Sequence, residues 1–93
     1  MEPEVGKAYR GRDGIVRWVT HRSKRGYWHL LWHEPEGDVW YSGGMVKSDR
    51  FHAGGLAEQG EVPAPEPGDS YRLSGALGTV REVHLPAFKE ASR

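Results

Sequence analysis

The alternation of apolar and other residues along the first half of the chain predicts β-strands. The segments GIVRWVTH (14–21) and YWHLLWH (27–33) both alternate with a period of two, and a polar loop ending in Gly26 separates them. Two alternating runs around a short loop are typical of a β-hairpin. Pairing even-numbered with even-numbered residues, with Val16 opposite Trp32, creates one strongly apolar face. We predict that this face is the core: Val16, Trp18, Trp28, Leu30 and Trp32.

A third strand, DVWYS (38–42), is predicted after the Pro- and Gly-containing turn EPEG (34–37). With a four-residue turn, Trp32 lies opposite Val39 and Leu30 lies opposite Tyr41. Val39 and Tyr41 then extend the core, and Trp40 points to the other face of the sheet.

The remaining segments carry weaker patterns. VKSDRFH (46–52) is compatible with a single helical turn, and residues 53–68 read as a flexible Gly/Pro/acidic loop. Residues 69–85 return two strands, and residues 86–93 read as a frayed tail. We therefore predict one small all-β domain over residues 1–93, with about five strands in a small barrel or a bent antiparallel meander.

The chain contains an internal repeat. PEVGKAYR (3–10) is echoed by PEPGDSYR (65–72), and GIVRWVTH (14–21) is echoed by GTVREVHL (78–85). In both places a glycine starts a turn, a short strand with a tyrosine follows, and a Gly-led strand rich in valine comes next.

The opening VGKAYRGRDGIVRWV (5–19) resembles the start of an SH3-like barrel of the KOW or Tudor type, with a Gly-led strand that carries a G-x-V pattern. The resemblance covers roughly residues 5–52 and implies a small barrel. The Trp-rich meander and the acidic Pro-rich loop are also similar in style to short proteins encoded by actinobacterial phages. Several such proteins bind a host protein, so this similarity implies a host factor as the partner.

Composition narrows the setting. The 93 residues include no cysteine, so disulfides and thiolate metal ligands are excluded. There is no run of about 18 apolar residues, and the acidic start is unlike a signal peptide, so we expect a bacterial cytoplasmic protein. Thirteen basic and thirteen acidic residues cancel, although residues 1–31 carry net +4 and residues 32–69 carry net −6.

We predict neither catalysis nor a bound metal or cofactor. His29 and His33 are four residues apart on a strand, about 13 Å at roughly 3.3 Å per residue, which is too far for one metal ion. In the predicted register His21 lies near Tyr27 rather than beside His29. No serine stands in a G-x-S-x-G context, and no aspartate is placed to orient a histidine base.

The other face of the meander is the predicted binding surface. Six residues are expected to share it: Ile15, Arg17, Val19, His29, Leu31 and Trp40. Exposed apolar patches with Arg and Trp are typical of protein contact sites. Alternatively, residues 69–85 or 53–68 cover this face as a second core layer. We hypothesise a non-catalytic module that binds another protein, either a host factor or a second copy of the chain.

Two other functions stay open. The basic hairpin tip with its flanking aromatic residue could bind nucleic acid, through backbone phosphates and stacked bases. The residues of this second site are His21, Arg22, Lys24, Arg25 and Tyr27. The chain could also be a structural or assembly protein, such as a virion component, that forms homo-oligomers through exposed strand edges.

Overall fold

A computed structural model describes residues 3–47 and 60–85. The predicted tail (86–93) lies outside these residues, as do most of the predicted helical turn and part of the predicted loop. The described chain forms seven strands and one short 3₁₀ turn, so the all-β prediction is confirmed. The strands are β1 (Ala8–Arg10), β2 (Val16–Arg22), β3 (Tyr27–His33), β4 (Val39–Lys47), β5 (Glu61–Val62), β6 (Ser70–Ser74) and β7 (Val80–His84), and the 3₁₀ turn is Ala76–Gly78.

The strands form one mixed sheet in the order β5-β1-β2-β3-β4-β6-β7. All neighbours are antiparallel except β4 and β6, which are parallel. Two differences from the prediction follow: there are seven strands rather than about five, and the described sheet is open, with β5 and β7 at its edges. Glu61–Val62, inside the predicted flexible loop, pairs with β1, and the first two residues of the predicted helical turn belong to β4.

The predicted register of the first hairpin is wrong, by two residues near the hairpin loop and by one residue beyond a β-bulge at Thr20 in β2. Near the hairpin loop, His21 lies opposite His29, but beyond the bulge the pairing shifts by one residue. A one-residue shift moves every following side chain to the other face of the sheet. The pairs beyond the bulge are Val16–His33, Arg17–Trp32, Trp18–Leu31 and Val19–Leu30.

As a result the sheet buries apolar residues on both faces. The Trp18 face carries the buried residues Ala8, Val16, Trp18, Trp40 and Leu85, with Leu31, Val62, Ala64, Tyr71 and Leu73 packed against them. The Trp28 face carries the buried residues Tyr9, Val19, Trp28 and Leu30, with Val5 and Val46 packed against them. Of the five predicted core residues, four are buried, but they are divided between two faces, and Trp32 is only half-buried.

The β3–β4 pairing also differs from the prediction. Trp32 lies opposite Tyr41 rather than Val39, and the register shifts again between His29 and Leu31. Tyr41, a predicted core residue, is 37 % exposed, and Val39 is half-buried. Trp40 does point away from Tyr41 as expected, but it is buried because the parallel strand β6 places Leu73 beside it.

The two copies of the repeat close with the same turn. The N–H of Lys7 donates to the carbonyl of Glu4 (3.2 Å), and in the second copy the N–H of Asp69 donates to the carbonyl of Glu66 (2.9 Å). The glycine at the third position of each turn has a positive φ, 93° in the first copy and 98° in the second, as a type II turn requires. Each turn leads into an antiparallel hairpin, β1–β2 in one copy and β6–β7 in the other.

Candidate functional site

The six residues of the predicted protein-binding face do not form one surface. His29, Leu31 and Trp40 lie on the Trp18 face. There Trp40 belongs to the buried cluster, against which Leu31 packs together with Tyr71 and Leu73 of β6. The three others lie on the Trp28 face, and of these Val19 is fully buried. The alternative in which other strands cover this face as a second core layer therefore applies to Leu31 and Trp40. The register shift at Thr20 is the physical reason that the six residues are divided between two faces of the sheet.

A pocket remains at one end of the Trp28 face, where it brings Ile15 and Arg17 together with residues of the next two strands. It has a volume of about 370 Å³. We call it the Trp32 pocket. It is lined by Ile15, Arg17, Leu30, Trp32, Gly43 and Val46.

One wall of the Trp32 pocket is Trp32 itself, and its ring stacks on Tyr41, which is not among the lining residues. The rings of Trp32 and Tyr41 stack with centroids 4.8 Å apart and planes 28° apart. Gly43 keeps the pocket open, because a Cβ at this position would lie 3.1 Å from Trp32 Cδ1 and 3.1 Å from the Leu30 carbonyl oxygen. Trp32, Tyr41 and Gly43 are not among the site residues that the sequence pattern predicts, although a glycine inside a strand is a signal for close approach of a ligand or another group.

Arg17 enters the pocket already paired with Asp13. Its guanidinium donates two hydrogen bonds to the carboxylate, at 2.8 and 3.1 Å, and is mostly shielded from solvent. Asp13 is held in the β1–β2 turn because Oδ1 also accepts the N–H of Ile15 (3.0 Å). The hydrogen bond from Arg17 lowers the pKa of the Asp13 carboxyl, although slight burial opposes this. The pocket therefore offers apolar and aromatic surface with little net charge.

Asp13→Asn is expected to lower the free energy of unfolding by about 0.2–1 kcal/mol near pH 7, the range for solvent-exposed ion pairs. A carboxylate whose pKa is lowered by folding stabilises the folded protein at pH values above its ordinary pKa of 3.8. This stabilisation is lost as the pH falls through the folded pKa, which lies below 3.8, so the difference between parent and variant should be smaller at about pH 3 than at pH 7. Urea unfolding at both pH values measures it. A difference of the same size at both would show that the charge of Asp13 is not the cause.

A second, larger hollow lies beside β1 and the proline-rich segment after β5. It has a volume of about 600 Å³ and is lined by residues 5–7 and 61–67. Its cation, Lys7, is paired with Glu4 (2.9 Å) and Glu61 (3.3 Å), and these hydrogen bonds raise the pKa of Lys7. Because the described lining contains no aromatic side chain and its cation is paired, this hollow is the weaker candidate.

The five residues of the predicted nucleic-acid site do not all lie on one exposed basic surface. Arg22 lies on the Trp28 face with its guanidinium carbon 4.5 Å from the centre of a Trp28 ring. Lys24 and Arg25 are exposed at the tip, and Tyr27 is half-buried. His21 lies on the Trp18 face, where its ring is 5.0 Å from that of His29.

Within residues 3–47 and 60–85, no three His, Asp or Glu side chains come together in a way that could hold a metal ion. The same residues include no helix with the length and apolar character needed to cross a membrane. No family model, curated protein or solved structure matches the chain.

Proposed function

We propose that this protein is a non-catalytic binding module that recognises another protein through the Trp32 pocket. The observation that carries the proposal is a partly exposed Trp32–Tyr41 stack beside an apolar hollow with a fixed arginine. Trp, Tyr and Arg are the residues that most often dominate the energy of protein interfaces.

The charge of the pocket supports a protein partner over a nucleic acid. Arg17 is bound to Asp13 on two atoms, so its charge is largely cancelled and exerts little pull on phosphate. The remaining lining is apolar, and its volume suits one or two apolar side chains of a partner. An exposed apolar or aromatic side chain on the partner is therefore the group we expect to enter the pocket.

Tyr41→Ala is expected to weaken binding of the partner about 30-fold, which corresponds to roughly 2 kcal/mol for the loss of a hot-spot residue. The partner is first captured from a nuclease-treated bacterial lysate with the immobilised protein. Its Kd is then measured with purified components. Val80→Ala is the matched control, because Val80 is an exposed apolar residue (46 %) on edge strand β7, two strands away from Tyr41 on β4, whereas Tyr41 stacks on the lining residue Trp32.

Equal loss of binding in both variants, or no loss in Tyr41→Ala, would contradict the proposal. Capture that disappears after nuclease treatment and in a Lys24→Ala/Arg25→Ala variant would instead favour nucleic-acid binding, since both residues are exposed cations at the hairpin tip. A homo-oligomer as the only species captured would favour the assembly function. The similarity to phage-encoded proteins makes a bacterial host factor the first partner to seek.

A further inference from the structure

Two histidines from adjacent strands face each other on the Trp18 face, next to the first hairpin loop. His21 on β2 and His29 on β3 are direct cross-strand partners. Their ring centroids are 5.0 Å apart and their planes are tilted by 50°. The prediction of no shared metal ion assumes, among other points, that His21 lies near Tyr27 rather than beside His29. That premise is wrong, so the question of a metal site reopens.

We propose that His21 and His29 form a two-imidazole site for a divalent transition-metal cation of the zinc and nickel class. A cation of this class lies about 2.0–2.1 Å from an imidazole nitrogen, which puts each ring centre roughly 3.2 Å from the metal. Two rings bound at an angle between square and tetrahedral then have centres about 4.5–5.2 Å apart. The observed separation of 5.0 Å falls within this range without movement of either strand.

The β-bulge at Thr20 creates this pairing. If the register of residues 16–19 continued without the bulge, His21 would lie opposite Trp28 and point to the other face. The Thr20 hydroxyl donates to the carbonyl oxygen of His29 (3.3 Å), so the bulge is tied to the strand that carries the second histidine. Bulges frequently redirect one side chain into a site in this way.

The chemistry of the pair selects the cation. Neutral imidazole is a good ligand for zinc, nickel and copper, whereas calcium and magnesium prefer oxygen. No third His, Asp or Glu in the described residues completes the site, so its other coordination positions are open to water or to a donor from another molecule. The cation of Arg22 lies on the opposite face, over Trp28, and does not crowd the site.

Titration of the full chain with NiCl₂ and with ZnCl₂, followed by calorimetry, tests the proposal. The parent is expected to bind one equivalent of either cation, and MgCl₂ to give no signal. His21→Ala and His29→Ala should each weaken binding by about 100-fold, the low end of the gain from holding two binding groups together. His84→Ala is the matched control, because His84 is an exposed strand histidine on β7.

A second readout separates binding from folding. The cation should raise the Tm of the parent and of His84→Ala, but not that of His21→Ala or His29→Ala, because a ligand stabilises only the state that binds it. Circular dichroism without metal should show that all variants are folded. Unchanged affinity in His21→Ala or His29→Ala would overturn the proposal, and so would loss of affinity in His84→Ala alone.

Discussion

Trp18→Ala is expected to destabilise the protein by about 3–5 kcal/mol, the cost of removing a buried tryptophan from a close-packed interior. Trp18 is fully buried and is the centre of the Trp18 face. Its ring lies 5.2 Å from Trp40 and packs edge-on against Tyr71 at 5.0 Å. It therefore joins β2 to strands β4 and β6, and its loss leaves a cavity between the N-terminal strands and the C-terminal hairpin.

Urea unfolding followed by circular dichroism measures the effect. Domains of this size are stable by only about 5–15 kcal/mol, so Trp18→Ala should shift the midpoint strongly or leave the chain unfolded. Trp18→Phe is the control, because it keeps an aromatic edge towards Tyr71 and removes less volume. A loss below about 1 kcal/mol in Trp18→Ala, the level of a surface change, would show that the β6–β7 hairpin does not pack on this face.

Trp28→Ala is expected to cost a similar amount, about 3–5 kcal/mol, although Trp28 lies on the opposite face of the sheet. Trp28 is 3 % exposed and packs in one cluster with Tyr9, Val19 and Leu30. A sheet with one wetted face would tolerate truncation of a tryptophan on that face. Two large losses, one from each face, are the signature of a sheet buried on both sides.

Arg22→Ala is the control for Trp28→Ala. The guanidinium of Arg22 lies over the Trp28 ring, and a cation–π contact at a partly exposed site contributes roughly 0.5–1 kcal/mol. The same urea unfolding experiment compares the two variants. If Trp28→Ala loses no more stability than Arg22→Ala, the stacked cation rather than ring burial accounts for the contribution of Trp28.

Local patterns in the sequence were sufficient to predict the central strands. The alternation in YWHLLWH places Trp28 and Leu30 on one face and Leu31 on the other, and the structure has this arrangement. The turn at 34–37 also forms where Pro and Gly predict it, with the N–H of Gly37 donating to the carbonyl of Glu34. These features depend on neighbours within a few residues, which is why the sequence reveals them.

The candidate site could not be predicted in the same way, because it depends on two long-range facts. A one-residue bulge at Thr20 decides whether Arg17 lies opposite His33 or opposite Trp32, and neither pattern nor composition marks that residue as a bulge. The parallel pairing of β4 with β6 buries Trp40 and leaves Tyr41 exposed. Strands so far apart in the chain are paired by the packing of the whole domain rather than by local preference.

The two copies of the repeat carry the same pair of turns into different surroundings. Both copies keep a pair of glycines with positive φ, one in each turn. The copies nevertheless differ in loop length and in the face that their tyrosines meet: Tyr9 is in the Trp28 cluster, whereas Tyr71 contacts Trp18. The glycines therefore fix where each copy reverses direction, and the strands packed around it decide which face of the sheet holds its tyrosine.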